Sequence, residues 1–90
     1  MEVRAHIVVK GLVQGVGFRY FVYARAAEAG ASGFVRNLDS GDVEIEAQGE
    51  RSKVEILIDQ IKAGPRSARV TDLRIEWSSP LQPSGLFEIR

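Results

Sequence analysis

One loop and one amide side chain stand out for the chemistry they could do. Gln14-Gly15-Val16-Gly17-Phe18-Arg19 lies between a strand-like and a helix-like segment. Its glycines at 15 and 17 let successive main-chain N–H groups curl toward one point with no Cβ in the way, a concavity that suits an oxyanion. The unpaired N–H groups of a helix's first turn and the positive end of its dipole add to that spot, and Arg19 brings a planar fork of donors. A phosphoryl group is the natural guest. The same spacing also fits a plain tight connection with a solvated arginine. A cation in a first turn opposes the dipole by about 0.3–1 kcal/mol, which favours a bound anion that offsets the cost. The loop lacks the Gly-Lys-Ser/Thr ending of a Walker loop and the glycine spacing of a dinucleotide fold, so it indicates no nucleotide cofactor. The amide is Asn37, at the end of a short strand-like run where Asn is disfavoured; its side chain can both donate and accept. Taken locally, it serves first as the opening residue of a turn, Asn37-Leu38-Asp39-Ser40-Gly41.

The elements that must hold these groups follow from hydrophobic periodicity. Val3, Ala5, Ile7 and Val9 alternate with Arg4, His6 and Lys10, a half-buried strand ending at Gly11. Phe18, Val22, Ala26 and Ala29 share one helical face, stopped by Gly30. Gly33 to Asn37 forms a short strand; Asp39-Ser40-Gly41-Asp42 supplies turn chemistry; Val43, Ile45 and Ala47 then alternate with Glu44, Glu46 and Gln48, completing a hairpin. Ser52 and Glu55 have the spacing of a capping box, and Val54, Leu57, Ile58 and Ile61 fall on one helix face ended by Gly64-Pro65. Arg69 to Trp77 is a further strand with Leu73, Ile75 and Trp77 assigned to the core. Phe87 and Ile89 form a short terminal strand after the Pro80 to Pro83 loop. Two strand–helix–strand units bury their apolar faces most economically together. The expected fold is therefore α+β, a ferredoxin-like βαββαβ sandwich with an antiparallel sheet and two helices on one face, residues 1–90 forming one domain.

Composition narrows the function classes. Twelve Lys plus Arg balance twelve Asp plus Glu, without the broad positive footprint of a nucleic-acid binder. Glu44, Glu46 and Gln48 on the polar face would also repel a phosphodiester backbone. With no cysteine and one histidine the chain cannot assemble a Cys or Cys/His zinc site, an iron–sulfur ligand set or a disulfide. No cofactor and no metal are expected. The amino-terminal segment alternates charged and apolar residues, and nowhere do eighteen apolar residues run together, so the expectation is a cytoplasmic monomer with no membrane partner. His6 reads as solvated with no role, Arg4, Lys10 and Arg36 as the wet side of the sheet, and Phe18 as a packing anchor for the loop. A non-catalytic ferredoxin-like module that binds a small anion is the alternative to an enzyme.

Gly11-Leu12-Val13-Gln14-Gly15-Val16-Gly17-Phe18-Arg19 resembles the signature loop of the acylphosphatase family, and Gly33-Phe34-Val35-Arg36-Asn37 resembles its second motif. Asp42-Val43-Glu44, Gly64-Pro65 and the closing Phe87-Glu88-Ile89-Arg90 are also similar, so the resemblance spans essentially the whole chain. It implies the same ferredoxin-like fold. It also implies an acyl phosphate as substrate and inorganic phosphate as product. Arg19 and the N–H groups of Gln14, Gly15, Val16, Gly17, Phe18 and Arg19 would bind the phosphate, and Asn37 would hold the attacking water. Two departures are visible. Phe34 stands where the family usually has Trp, and Leu38 follows Asn37 where several members carry a hydroxyl residue.

Overall fold

Strict alternation in the first strand decides the architecture, because it gives the sheet one apolar face to cover. The computed structural model describes residues 1–82 and 85–90. The elements are β1 (Glu2–Leu12), α1 (Phe18–Glu28), β2 (Ser32–Asn37), β3 (Val43–Glu50), α2 (Arg51–Ala63), β4 (Arg69–Ser78) and β5 (Phe87–Ile89). They form one five-stranded sheet in the order β4-β1-β3-β2-β5. β1 is flanked by β3 and β4, both antiparallel to it, and Ile7 sits opposite Ile45 on one side and Ile75 on the other. Val3, Ala5, Ile7 and Val9 with Val43, Ile45, Ala47 and Val35 face the helices. There they meet Phe18, Val22 and Ala26 of α1 and Val54, Leu57, Ile58 and Ile61 of α2. This is the α+β sandwich that the periodicity predicts, with both helices on one face.

Four local features differ from expectation. The sheet is mixed: β5 lies parallel to β2, with Gly33 opposite Phe87, whereas every other pairing is antiparallel. β4 and β5 occupy opposite edges, and after β4 the chain lies over the open face at Leu81. There the Gln48 carboxamide donates to the Leu81 carbonyl at 2.6 Å and accepts from the Leu81 N–H at 2.7 Å. Pro83, the end of the expected loop, lies outside the described residues. Second, β1 continues through Gly11 to Leu12, with a register shift between Lys10 and Gly11. Gly11 has φ 131°, and a Cβ on it would stand 2.0 Å from the Arg69 carbonyl oxygen. The glycine marks a bulge inside the strand and not its end. Third, α2 begins at Arg51 behind an extended Glu50, which makes no side-chain cap, so Ser52 and Glu55 do not form the capping box. The Glu50 carboxylate instead accepts from the Met1 ammonium at 2.8 Å. Fourth, Trp77 is 41% exposed. It sits near the end of an edge strand, beside the start of α2, with the Arg51 guanidinium 4.7 Å from its ring. Leu73 and Ile75 do pack against the core.

The uncovered face of the sheet carries a ladder of opposite charges. The guanidinium of Arg4 reaches Glu46 at 3.1 Å, His6 Nε2 reaches Glu44 at 2.8 Å, Lys10 Nζ reaches Asp42 at 2.8 Å, and Arg36 also pairs with Glu44. His6 is thus half-buried and paired, not simply solvated. An ionised carboxylate can only accept, so its Nε2 carries the proton. These carboxylates neutralise the cations that could have widened a positive field around the loop.

Candidate active site

The loop from Val13 to Gly17 joins the end of β1 to the start of α1, and its conformation is set by glycine. Gly15 and Gly17 have φ values of 74° and 76°, which L side chains rarely adopt, and a Cβ on either would meet nothing within 4 Å. Backbone strain, not crowding, therefore demands glycine at both positions. Gly17 is the residue before the helix and offers no side-chain cap, and no acidic residue occupies the first turn. The first helical bond is donated by the Phe21 N–H to the Gly17 carbonyl at 3.1 Å. Among the described residues the N–H groups of residues 15–20 have no protein acceptor. A helix N-terminus with its donors unspent and no acidic residue in its first turn is an electropositive concavity.

Three contacts fix this loop. Phe18 is 1% exposed and anchors its end in the core. The Ser67 hydroxyl donates to the Val16 carbonyl at 2.7 Å. The Gln14 carboxamide donates to two carbonyl oxygens of the β2–β3 turn, those of Leu38 and Asp42, each at 2.8 Å. The last contact ties the loop to the segment that carries Asn37. Because Asn37 ends β2 opposite Val43, its position is set by the sheet. It is an extended strand residue and not yet part of the turn that its type suggests.

A pocket of about 200 Å³ opens between these pieces, lined by Val13, Gly15, Gly17, Phe18, Arg19, Tyr20, Asn37 and Ile89. It brings Arg19 and Asn37 together from positions eighteen apart in the chain. Two of the expected cradle residues do not line it: the Gln14 side chain is engaged with the turn, and Val16 packs against the core. Arg19 Nη1 donates to the main-chain oxygen of Arg90 at 2.9 Å, while the Arg90 N–H donates to the Val35 carbonyl at 2.8 Å. The guanidinium is therefore held by β5 and β2 together. Unlike Arg4, Lys10 and Arg36, it has no aspartate or glutamate partner among the described residues. The Asn37 carboxamide likewise has no partner among them. A guanidinium with no acidic side chain on it, a row of free amides and a free carboxamide thus share one small cavity. That arrangement can hold a tetrahedral anion and orient a small polar molecule beside it.

Sequence reasoning did not find Val13, Tyr20 and Ile89 as lining residues. Only Tyr20 leaves a signal, as a large aromatic off the helix face formed by Phe18, Val22 and Ala26. Among the described residues no cluster of three or more histidine, aspartate or glutamate side chains could hold a metal ion. None of their helices is long and apolar enough to cross a membrane.

The sequence model of the acylphosphatase family matches residues 5–89. The chain belongs to the acylphosphatase family. An acylphosphatase of Chlorobaculum tepidum is 51% identical over 75 residues, covering 83% of this chain and 82% of the relative. The crystal structure of the acylphosphatase from Bacillus subtilis superposes with a TM-score of 0.94 at 38% identity, covering 98% of both chains. Full-length HypF, solved in a phosphate- and nucleotide-bound form, matches with a TM-score of 0.87 at 27% identity. The whole of this chain corresponds to 12% of that protein. As an acylphosphatase the chain is an enzyme, with an acyl phosphate as substrate and phosphate as product. The resemblance carried by residues 11–19 and 33–37 thus identifies its family correctly.

Proposed function

We propose that this acylphosphatase cleaves the carboxyl–phosphate bond by in-line attack of a water on phosphorus, with no covalent enzyme intermediate. The observation that carries the reading is the shared pocket, in which an Arg19 with no aspartate or glutamate partner and an unengaged Asn37 flank Gly15 and Gly17 at the start of α1. In this reading the main-chain N–H groups of the loop and the Arg19 fork hold the non-bridging phosphoryl oxygens. Their charge stabilisation needs no reorganisation during reaction, since the main-chain oxygen of Arg90 and the helix already fix them. The Asn37 carboxamide accepts a hydrogen bond from the water and orients its oxygen toward phosphorus.

As the new P–O bond forms, the bond from phosphorus to the acyl oxygen breaks, and its electron pair leaves on the carboxylate. The water's proton passes to the phosphate or to solvent. A carboxylate is a good leaving group, so the step depends on positioning and electrostatics more than on a strong general acid or base. Asn37 can supply the first and not the second.

Hydrolysis of benzoyl phosphate in EDTA tests the assignment. Arg19→Ala and Asn37→Ala are each expected to lower kcat/KM by about 10²–10³-fold, the scale of losing one preorganised group. Phosphate should compete in wild type and in Asn37→Ala but not in Arg19→Ala. Turnover that survives both substitutions sinks the mechanism. A folded wild type that binds phosphate without turnover would make the pocket an anion-binding site.

A further inference from the structure

Gly64-Pro65, which ends α2, is a sequence motif to which the mechanism gives no task. The Gly64 N–H donates to the Gln60 carbonyl at 2.9 Å and closes the helix. The Ala68 N–H donates to the Pro65 carbonyl at 3.0 Å, so residues 65–68 form a tight turn. A Cβ on Gly64 would lie 3.8 Å from Phe18 Cε1, which puts the turn against the residue that anchors the glycine loop. From this turn the Ser67 hydroxyl donates to the Val16 carbonyl at 2.7 Å, across fifty-one positions of sequence. Ser67 does not line the pocket, whereas Gly15 and Gly17 on either side of Val16 do. Among the described residues the Ser67 hydroxyl is the one hydrogen-bond partner of the peptide unit that joins Val16 to Gly17.

We infer that Ser67 is a positioning residue for the reaction: by holding the Val16 carbonyl behind the loop, it keeps the Gly17 N–H turned into the pocket. The inference rests on the phosphate-binding role proposed for Arg19 and the loop amides. The C=O and N–H of one planar trans peptide point in opposite directions, so fixing the oxygen on the Ser67 side fixes the direction of the donor. Without that bond the unit is free to flip. A flip would take the Gly17 φ from 76° to a negative value, which glycine adopts as readily. Packing of the Val16 side chain does not oppose it, because the flip turns the peptide and leaves the side chain in place. The first helical bond, from the Phe21 N–H to the Gly17 carbonyl, holds the peptide after Gly17 and not the one before it. A flipped unit would aim a carbonyl oxygen at the anion in place of a donor. The glycine that the loop conformation requires thus leaves one donor underdetermined, and the turn after α2 supplies the missing constraint.

Calorimetric titration of inorganic phosphate into wild type, Ser67→Ala and Ser67→Thr, well below the thermal midpoint of each, tests this without relying on turnover. Ser67→Ala should raise the phosphate Kd about twofold to tenfold, the scale of one hydrogen bond at its usual net value. Ser67→Thr keeps the hydroxyl and should bind as wild type does. Proton–nitrogen NMR reads the donor itself: saturating phosphate should move the Gly17 amide proton downfield in wild type and Ser67→Thr, and clearly less in Ser67→Ala. A merely structural serine would lower the urea midpoint on substitution and leave both readouts unchanged, which overturns the inference. A raised Kd with an unchanged Gly17 shift also overturns it, since that amide would not be what Ser67 positions. Arg19→Ala separates this failure from that of the underlying reading. If phosphate binding ignores Arg19, the phosphate site is wrong and the role of Ser67 falls with it. If binding depends on Arg19 while Ser67→Ala matches wild type, only the Ser67 assignment falls.

Discussion

At the scale of single residues, the site depends on a side chain that reaches away from it. Gln14 lies in the loop expected to cradle phosphate, yet its carboxamide points to the β2–β3 turn and donates to the carbonyls of Leu38 and Asp42. Those two bonds set how far the glycine loop stands from Asn37. Gln14→Ala should cost about 1–3 kcal/mol, two part-buried hydrogen bonds at their usual net value, and should lower kcat by loosening the pocket. Gln14→Glu should be worse than alanine in both respects. An ionised carboxylate has no proton to donate and would place negative charge against two carbonyl oxygens. Urea midpoints and benzoyl phosphate kinetics on the two variants check the order. A glutamate variant as stable as wild type would mean that the clamp contributes packing alone. The same side chain shows the limit of residue types as signals: Gln14 was legible as part of a motif, but its partners are main-chain oxygens twenty-four and twenty-eight positions away, and main-chain acceptors have no signature.

At the scale of elements, β1, β2 and β3 carry both the core and a polar face that balances itself. Glu44 is held below the ordinary glutamate range, chiefly by its hydrogen bond from His6 and then by Arg36, against an opposing cost of burial. Asp42 is held low mainly by its bond from Lys10. A carboxylate depressed in the fold contributes stability that is fully present above its unfolded pKa and is lost as pH falls through the folded one. The ladder should therefore be at full strength near neutrality and weaken below about pH 4. Glu44→Gln should flatten the fall in stability on acidification, while leaving a protein less stable than wild type at pH 7. Denaturation midpoints across the acid range measure this, and an acid slope identical to wild type would rule out Glu44 as a contributor.

Most of this layer was legible in advance, because half-burial writes a period of two into β1 and β3 and helix burial writes Val54, Leu57, Ile58 and Ile61 into α2. What escaped depends on neighbours distant in sequence. The bulge at Gly11 exists because the Arg69 carbonyl approaches it, and three-residue β5 has too few positions to reveal that it runs parallel to β2. Trp77 lies outside the core because β4 is an edge strand, a fact of topology that alternation along one strand does not record.

At the scale of the whole molecule, the pocket gathers pieces from nearly the full length of the chain: Val13, Gly15 and Gly17 to Tyr20 at the end of β1 and the start of α1, Asn37 from β2, and Ile89 from β5. The Arg19 guanidinium is held by the main chain of Arg90, seventy-one positions away. Few of these groups are near one another in an unfolded chain, so an anion that fits the pocket binds the folded state and leaves the unfolded chain untouched. Linkage then turns occupancy into stability. Phosphate at a hundred times its dissociation constant should add about 2.7 kcal/mol. In a chain of this size each kcal/mol moves the midpoint by about 4–8 °C, which places the expected rise in Tm at roughly 10–20 °C. Sulfate, with the same tetrahedral oxygens, should act in the same direction, whereas chloride at equal ionic strength should not. Removing the one guanidinium in the pocket should abolish most of the rise in Arg19→Ala. Asn37→Ala should keep it, because that side chain is assigned to water and not to phosphate. Thermal scans of the three proteins across a phosphate series decide the matter. Equal stabilisation of wild type and Arg19→Ala would show that phosphate acts as a general excluded salt and that no anion site spans the termini of these elements.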